Sequence, residues 1–94
     1  MMINDYLSRG KASARTCGDI ARATGCTARE ITAQIERERR AGYPICASTG
    51  DPPGYYLAET PEELAEYCEA LRRRAIEVLK TRKALIKVLE QMTK

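Results

Sequence analysis

The chain has 94 residues, of which 31% are charged, and it contains no His, Phe or Trp. This length gives one small domain with a thin core, and the absence of His removes the most common acid-base catalyst and metal ligand. The formal net charge of +3 is lower than dedicated nucleic-acid-binding domains usually carry. Because the chain has no His and no evident catalytic group, we expect no enzymatic activity and no cofactor. The lack of a signal-peptide pattern or a membrane-length apolar run predicts a cytoplasmic protein that does not contact membranes.

The four cysteines are scattered along the chain and form no C-x-x-C pair; they are Cys17, Cys26, Cys46 and Cys68. A zinc site would have to gather all four thiolates from distant segments. We therefore expect no metal, and we expect these side chains to act as small apolar residues at core or turn positions.

The amino-terminal segment has apolar residues at helical spacing, because Ile3, Tyr6 and Leu7 stand at positions i, i+3 and i+4. This predicts a short first helix that closes near Gly10. The polar and basic stretch 8–15 then predicts a connector.

Two capped helices follow the connector. Thr16 with Asp19 three residues later is an N-terminal capping pattern, and Gly25 tolerates the left-handed conformation that ends a helix. Thr27 with Glu30 is a full capping box, so the next helix begins only two residues after Gly25. Helices joined this tightly must cross, which is the geometry of a helix-turn-helix.

The helix that starts at this second capping box is predicted over 27–41, and its inward stripe consists of Ala28, Ile31 and Ile35. The opposite side combines arginines, which bond to guanine and phosphate, with small residues that allow close approach. It predicts contacts to duplex DNA by Thr27, Arg29, Thr32, Ala33, Arg37 and Arg40, with Arg15 and Arg22 as a basic approach. Against this interpretation, Glu30 and Glu36 lie near the same side.

Two short strands are predicted next, over 43–47 and 55–58, around a loop of turn-forming residues at 48–54. Strand alternation directs Ile45, Tyr55 and Leu57 toward the core and Tyr56 outward. The loop contains no Lys or Arg, so it lacks the cations that would hold a phosphate.

The last helix begins at a strong start signal, in which Thr60 is the cap, Pro61 the first helical residue and Glu63 the partner of the cap. No Gly or Pro follows it, so the helix could run for about 33 residues, or roughly 50 Å. Acidic residues come first along it and basic residues later, which suits both the helix dipole and an antiparallel pairing of two helices.

Apolar residues recur along this last helix with the alternating 4,3 spacing of a coiled coil. Packing on the preceding domain can explain only the first part of that stripe. We therefore predict a homodimer formed through the carboxyl-terminal helix, with Leu71, Val78, Leu85, Leu89 and Met92 at the interface.

The order of these elements is the layout of a winged helix-turn-helix, so the predicted fold is mainly α with a small β-hairpin (α+β). We assign the winged helix-turn-helix to residues 1–59 and the long helix to residues 60–94. Residues 16–58 resemble the winged helix-turn-helix at the amino end of biotin operon repressors, through the segments I20-A-R-A-T-G-C-T-A-R-E-I31, I35-E-R-E-R-R-A-G-Y-P-I45 and G54-Y-Y-L57. The whole chain also resembles small winged-helix proteins encoded by phages and mobile elements.

The resemblance implies that the helix at 27–41 is a recognition helix, and it carries over no biotin ligase activity. One position departs from the family pattern, because Glu38 stands where that family usually has Leu, and the helical period places it on the inward side. A buried unpaired carboxylate is costly. We therefore expect either a basic partner for Glu38 or an open edge, and we expect Glu38→Leu to stabilise the fold.

Two functions follow from these observations. The first is a small transcriptional regulator that binds duplex DNA as a dimer. The alternative is a protein-interaction module on a winged-helix scaffold, such as a phage protein that binds and inhibits or redirects a host protein complex; the nearly neutral charge favours this alternative.

Overall fold

Three α-helices, two short 3-10 helices and one antiparallel pair of strands make up the protein. The computed structural model describes residues 1–94. The expected α+β class, mainly helical with a small hairpin, is confirmed. In chain order the elements are 3-10 turns at Ile3–Tyr6 and Lys11–Ser13, α1 at Cys17–Thr24, α2 at Ala28–Arg40, β1 at Ile45–Ser48, β2 at Gly54–Leu57 and α3 at Pro61–Met92.

The predicted capping boxes set the starts of α1 and α2. The Thr16 hydroxyl accepts a hydrogen bond from the Asp19 amide at 3.1 Å, and the Asp19 carboxylate accepts one from the Thr16 amide. Thr27 and Glu30 repeat this exchange at the start of α2. Gly25 closes α1 in the left-handed conformation, with φ at 76°. The short turn between the helices therefore follows from local sequence.

The segment before α1 is more ordered than a connector. Its predicted first helix is a single 3-10 turn, Ile3–Tyr6, and the following residues pair with β2. The Gly10 amide donates to the Leu57 carbonyl at 2.8 Å, while Arg15 and Tyr55 exchange two backbone hydrogen bonds of 2.9 and 2.7 Å. Gly54 permits this pairing, because its φ is 121° and a Cβ there would collide with the Arg15 backbone.

The main core lies between the first 3-10 turn, α1, α2 and β1. Six buried apolar side chains form it: Ile3, Leu7, Ile20, Ile31, Ile35 and Ile45. Tyr55 and Leu57 pack against these side chains from β2, as strand alternation predicts. The prediction for Ala28 is wrong, since this residue is exposed. It occupies the first position of α2, before the helix reaches the core.

A second, smaller core covers the other face of the hairpin. It consists of Cys46, Tyr56, Ala58 and Tyr67, with Leu64 packed against it. Tyr56 does point away from the main core, but it is only 4% exposed, so the expectation that it faces solvent is wrong. The first turns of α3 cover this face of the hairpin, and Tyr67 closes it.

Most of α3 projects beyond these two cores. The helix is continuous for 32 residues, and Tyr67 is its only buried residue. Val78 is 63%, Leu85 62% and Met92 76% exposed, although all three are apolar.

None of the helices combines the length and the apolar character that crossing a bilayer requires.

Candidate nucleic-acid interface

The outer side of α2 carries the residues that the sequence pattern singles out for DNA. All six are exposed: Thr27, Arg29, Thr32, Ala33, Arg37 and Arg40. The hydroxyls of the two threonines are used within the helix. The Thr27 hydroxyl caps it, and the Thr32 hydroxyl donates to the Ala28 carbonyl at 2.9 Å.

The acidic residues of α2 are held in a cap, paired with an arginine, or turned inward. The Glu30 carboxylate accepts a hydrogen bond from the Thr27 amide, and its bonds to Thr27 hold the pKa of Glu30 below the usual value. Glu36 pairs with Arg40, with 3.5 Å between Oε1 and Nε. Glu38 lies on the opposite, buried side of the helix. Of the two carboxylates that argue against DNA binding, Glu36 is therefore paired with a cation, and Glu30 is held in the cap but keeps its charge.

Two arginines on this face keep an uncompensated charge. The Arg29 side chain makes no hydrogen bond or ion pair within the chain. Arg37 donates from Nε and Nη2 to the Gln34 side-chain oxygen, at 3.0 and 2.7 Å, and this acceptor is neutral. Three exposed arginines against the carboxylates of Glu30 and Glu36 leave the outer side of α2 with a small net positive charge, and Glu36 offsets Arg40 directly.

The predicted basic approach lies elsewhere. Arg22 pairs with Asp19 on α1, and the Arg15 guanidinium donates to the Tyr6 carbonyl at 3.2 Å. Neither arginine lines the depression between α2 and the hairpin. The structure thus brings the α2 residues together on one side but does not join Arg15 and Arg22 to them.

Glu38 occupies an unexpected environment on the inner side of α2. It is 2% exposed, and its carboxylate accepts four hydrogen bonds: from the amides of Ile3 (2.6 Å) and Asn4 (2.8 Å) and from the side chains of Asn4 (2.9 Å) and Gln34 (2.9 Å). Burial alone raises the pKa of Glu38, but these hydrogen bonds outweigh it, and the net pKa is lowered.

The expectation of a basic partner or an open edge at Glu38 is therefore wrong. The partners are backbone and amide N–H groups, because no side chain caps the first 3-10 turn locally and Glu38 caps it from α2 instead. Leucine at this position would leave those donors buried without acceptors, which is unfavourable. Glu38→Leu should therefore destabilise the fold rather than stabilise it.

A groove of about 390 Å³ separates α2 from the hairpin, and we call it the α2–hairpin groove. Thr32 and Glu36 line it from α2, and Thr49 and Tyr55 line it from the hairpin. Arg39 and Arg74 complete it. Sequence analysis missed both of these arginines.

Arg39 connects α2, the hairpin and α3. Its Nε donates to the Ile45 carbonyl at 2.8 Å, and its guanidinium carbon lies 5.0 Å from the centre of the Tyr67 ring and 5.9 Å from that of Tyr55. Both distances suit cation–π attraction. Its Nη2 is buried without a hydrogen-bond partner.

The spacing between Tyr67 and Arg74 in the sequence could have placed Arg74 beside the hairpin. Residues 67 and 74 are seven apart, so they share one face of a helix. Once Tyr67 is placed against the hairpin, Arg74 must lie on the same side, two turns farther along α3. The missing information was that Tyr67, rather than the leucines of the stripe alone, contacts the hairpin.

Neither a protein-family model, nor a curated protein, nor a solved structure matches the chain.

The cysteines form no metal site, and no group of three or more potential ligands gathers in the structure. Cys46 is buried and Cys17 and Cys26 are half-buried, as expected of small apolar residues, whereas Cys68 is exposed. Burial raises the pKa of the Cys46 thiol and raises the pKa of Tyr56 to about 12, so both groups are neutral near pH 7.

Proposed function

We propose that the protein is a winged helix-turn-helix that binds duplex DNA and acts as a small regulator of transcription, with a phage or mobile-element origin suggested by the sequence resemblance. Two helices joined by a short turn are followed by a hairpin, and the edge of the hairpin pairs with the segment that precedes α1. This order supports placing α2 in the major groove, because the second helix of such a pair is the one that contacts base edges.

The observation that carries this proposal is the charge of the outer side of α2. Arg29 and Arg37 are exposed and unneutralised, while Glu30 is engaged in a cap and Glu36 in an ion pair. An anionic duplex therefore meets two guanidinium groups that have no acidic partner, and the one carboxylate left without a cationic partner on this side, Glu30, is held in the cap at the start of α2. Arginine at such positions can bond to guanine edges or to phosphates.

The proposal includes a homodimer formed by α3. Its distal apolar residues, Val78, Leu85, Leu89 and Met92, belong to neither buried core and are more than half exposed. Pairing with a second copy would bury them, and it would hold two α2 helices against two DNA half-sites. Occupancy of these half-sites would then regulate transcription.

Fluorescence anisotropy with a labelled random-sequence duplex tests the proposal. Wild-type protein should bind in the micromolar range at low salt and weaken as salt rises, because phosphate contacts release counterions. Arg29→Ala/Arg37→Ala should weaken binding by about tenfold or more. The matched control Arg22→Ala/Arg72→Ala removes two arginines that are ion-paired with Asp19 and Glu69, and it should bind nearly as wild type does. Equal loss in both variants, or no binding at low salt, would refute the proposal.

The exposed apolar side of α3 also supports a second candidate, a protein-interaction module that binds a component of a host complex. Nine large apolar side chains are exposed in the chain, and seven of them lie on α3, from Leu71 to Met92. Association through such a surface depends little on ionic strength, whereas binding through phosphates depends on it steeply. A partner retained at high salt, together with no DNA binding, would favour this candidate.

A further inference from the structure

The hairpin has no cation of its own, yet two arginines of α3 lie on either side of it. Arg74 lines the α2–hairpin groove together with Thr32 and Tyr55. Arg73 lines a separate cleft with Thr49 and Glu66. The buried Tyr67 anchors this part of α3 to the hairpin and so fixes the direction in which Arg74 extends.

The α2–hairpin groove is electropositive for a reason that can be traced to individual side chains. Arg74 and Arg39 both line it, and neither has an acidic partner within ion-pairing distance. Glu36 is its only acidic lining residue, and this carboxylate is paired with Arg40. Two guanidinium groups without acidic partners, beside the Thr49 hydroxyl, form a combination that suits a phosphate group.

The groove also lies directly beside the surface that we assign to DNA. Thr32 belongs both to the exposed side of α2 and to the wall of the groove. A DNA strand that extended from α2 toward the hairpin would run along the groove that Arg74 lines. Arg39 cannot reach the strand as freely, because its guanidinium is held between Tyr55 and Tyr67.

We propose that Arg74 binds a backbone phosphate of the DNA strand that crosses the α2–hairpin groove, with the Arg39 charge beneath it increasing the local attraction. The long helix thereby supplies the cation that the hairpin lacks. This inference rests on the proposed function, since it names a further contact of the same DNA-binding surface.

The test compares Arg74→Ala with Arg72→Ala in the same anisotropy assay. Both variants lose one positive charge from neighbouring positions of α3, but Arg72 is paired with Glu69 at 3.2 Å and lines no groove. Arg74→Ala should bind random-sequence duplex about fivefold more weakly and should lower the magnitude of the salt slope by about 0.9. Arg72→Ala should change neither quantity to that extent. Arg74→Lys should recover most of the affinity, because a phosphate accepts a point charge.

The outcomes separate the two proposals. If wild type binds and Arg29→Ala/Arg37→Ala does not, but Arg74→Ala behaves like Arg72→Ala, the role of Arg74 is overturned and the proposed function stands. If wild type does not bind, both are overturned. If Arg74→Ala proves less stable in a thermal melt, Arg74→Lys decides, since a loss of affinity equal to that of alanine would exclude a phosphate contact.

Discussion

The side chains of residues 1–71 and those of residues 75–92, the distal half of α3, differ in how well their environment suits them. We call residues 1–71 the packed region. In the first region even a carboxylate in the interior, Glu38, has four hydrogen-bond donors around it. In the second, apolar side chains such as Leu85 and Leu89 are more than half exposed. The comparison separates the residues that form the two buried cores from the exposed apolar residues that we propose for association. Substitutions should therefore affect the fold in the first region and the oligomeric state in the second.

The largest effect on stability is expected at Glu38. Glu38→Leu removes a charged acceptor from the amides of Ile3 and Asn4 and leaves them buried, so the free energy of unfolding should fall by about 3 kcal/mol. Thermal and urea unfolding measure this change. The same substitution on the exposed side, Glu36→Leu, should alter stability by less than about 0.5 kcal/mol. A higher melting temperature for Glu38→Leu would contradict our assignment of Glu38 as a cap.

A backbone contact gives the next largest effect. Gly54→Ala places a Cβ against the Arg15 backbone at a φ of 121°, so it should cost about 2 kcal/mol and loosen the pairing between β2 and the segment before α1. Gly50→Ala in the same loop meets only the Ser48 hydroxyl, at 3.4 Å, and should be nearly neutral. Urea unfolding of both variants checks the difference. Equal stability would show that this pairing contributes little to the packed region.

Acid should weaken the packed region through Glu38. The folded-state pKa of this carboxyl is lowered, so the unfolded chain takes up the proton first as the pH falls. The stabilisation is complete above the ordinary pKa of 4.5 and is lost progressively below it. Urea unfolding at several pH values should therefore show a steeper acid loss for wild type than for Glu38→Gln. Asp19 and Glu30 also have lowered pKa values, but they are present in both proteins and cancel in the comparison. Parallel pH profiles of stability for wild type and Glu38→Gln would show that Glu38 is not the source of the acid sensitivity.

The smallest effect on the fold is expected in the distal half of α3. Leu85→Glu/Leu89→Glu should convert a dimer to a monomer in sedimentation velocity, because it places charges on the proposed interface. Near-ultraviolet circular dichroism should not change, since all five tyrosines lie within residues 1–67. Ala84→Glu/Gln91→Glu adds the same charge on the opposite side of α3 and should remain dimeric. If the wild-type protein is a monomer at high concentration, the proposed homodimer is refuted.

The two regions also differ in how far the sequence predicts them. Helix starts at Thr16, Thr27 and Thr60 were predictable because capping depends on residues three apart. The environments of Glu38 and Tyr56 were not, because each depends on a segment distant in the chain: the first 3-10 turn for Glu38 and α3 for Tyr56. Periodicity assigns a residue to a face, but it does not say what covers that face.

The same limit applies to the candidate site. The exposure of Arg29 and Arg37 on α2 followed from the helical period, and the structure adds that Glu30 and Glu36 are already engaged. The place of Arg74 could not be derived without knowing that Tyr67 packs on the hairpin. Arg15 and Arg22 were grouped with α2 only because they carry the same charge, and local partners hold both of them elsewhere.

Titration of isotope-labelled protein with duplex DNA, followed by amide NMR spectra, tests the central claim most directly. We predict that chemical-shift changes concentrate on residues 27–37 and 73–74, with the main core and the distal half of α3 nearly unaffected. Changes confined to residues 75–92, or no changes at low salt, would contradict binding through α2 and would leave the protein-interaction module as the better account.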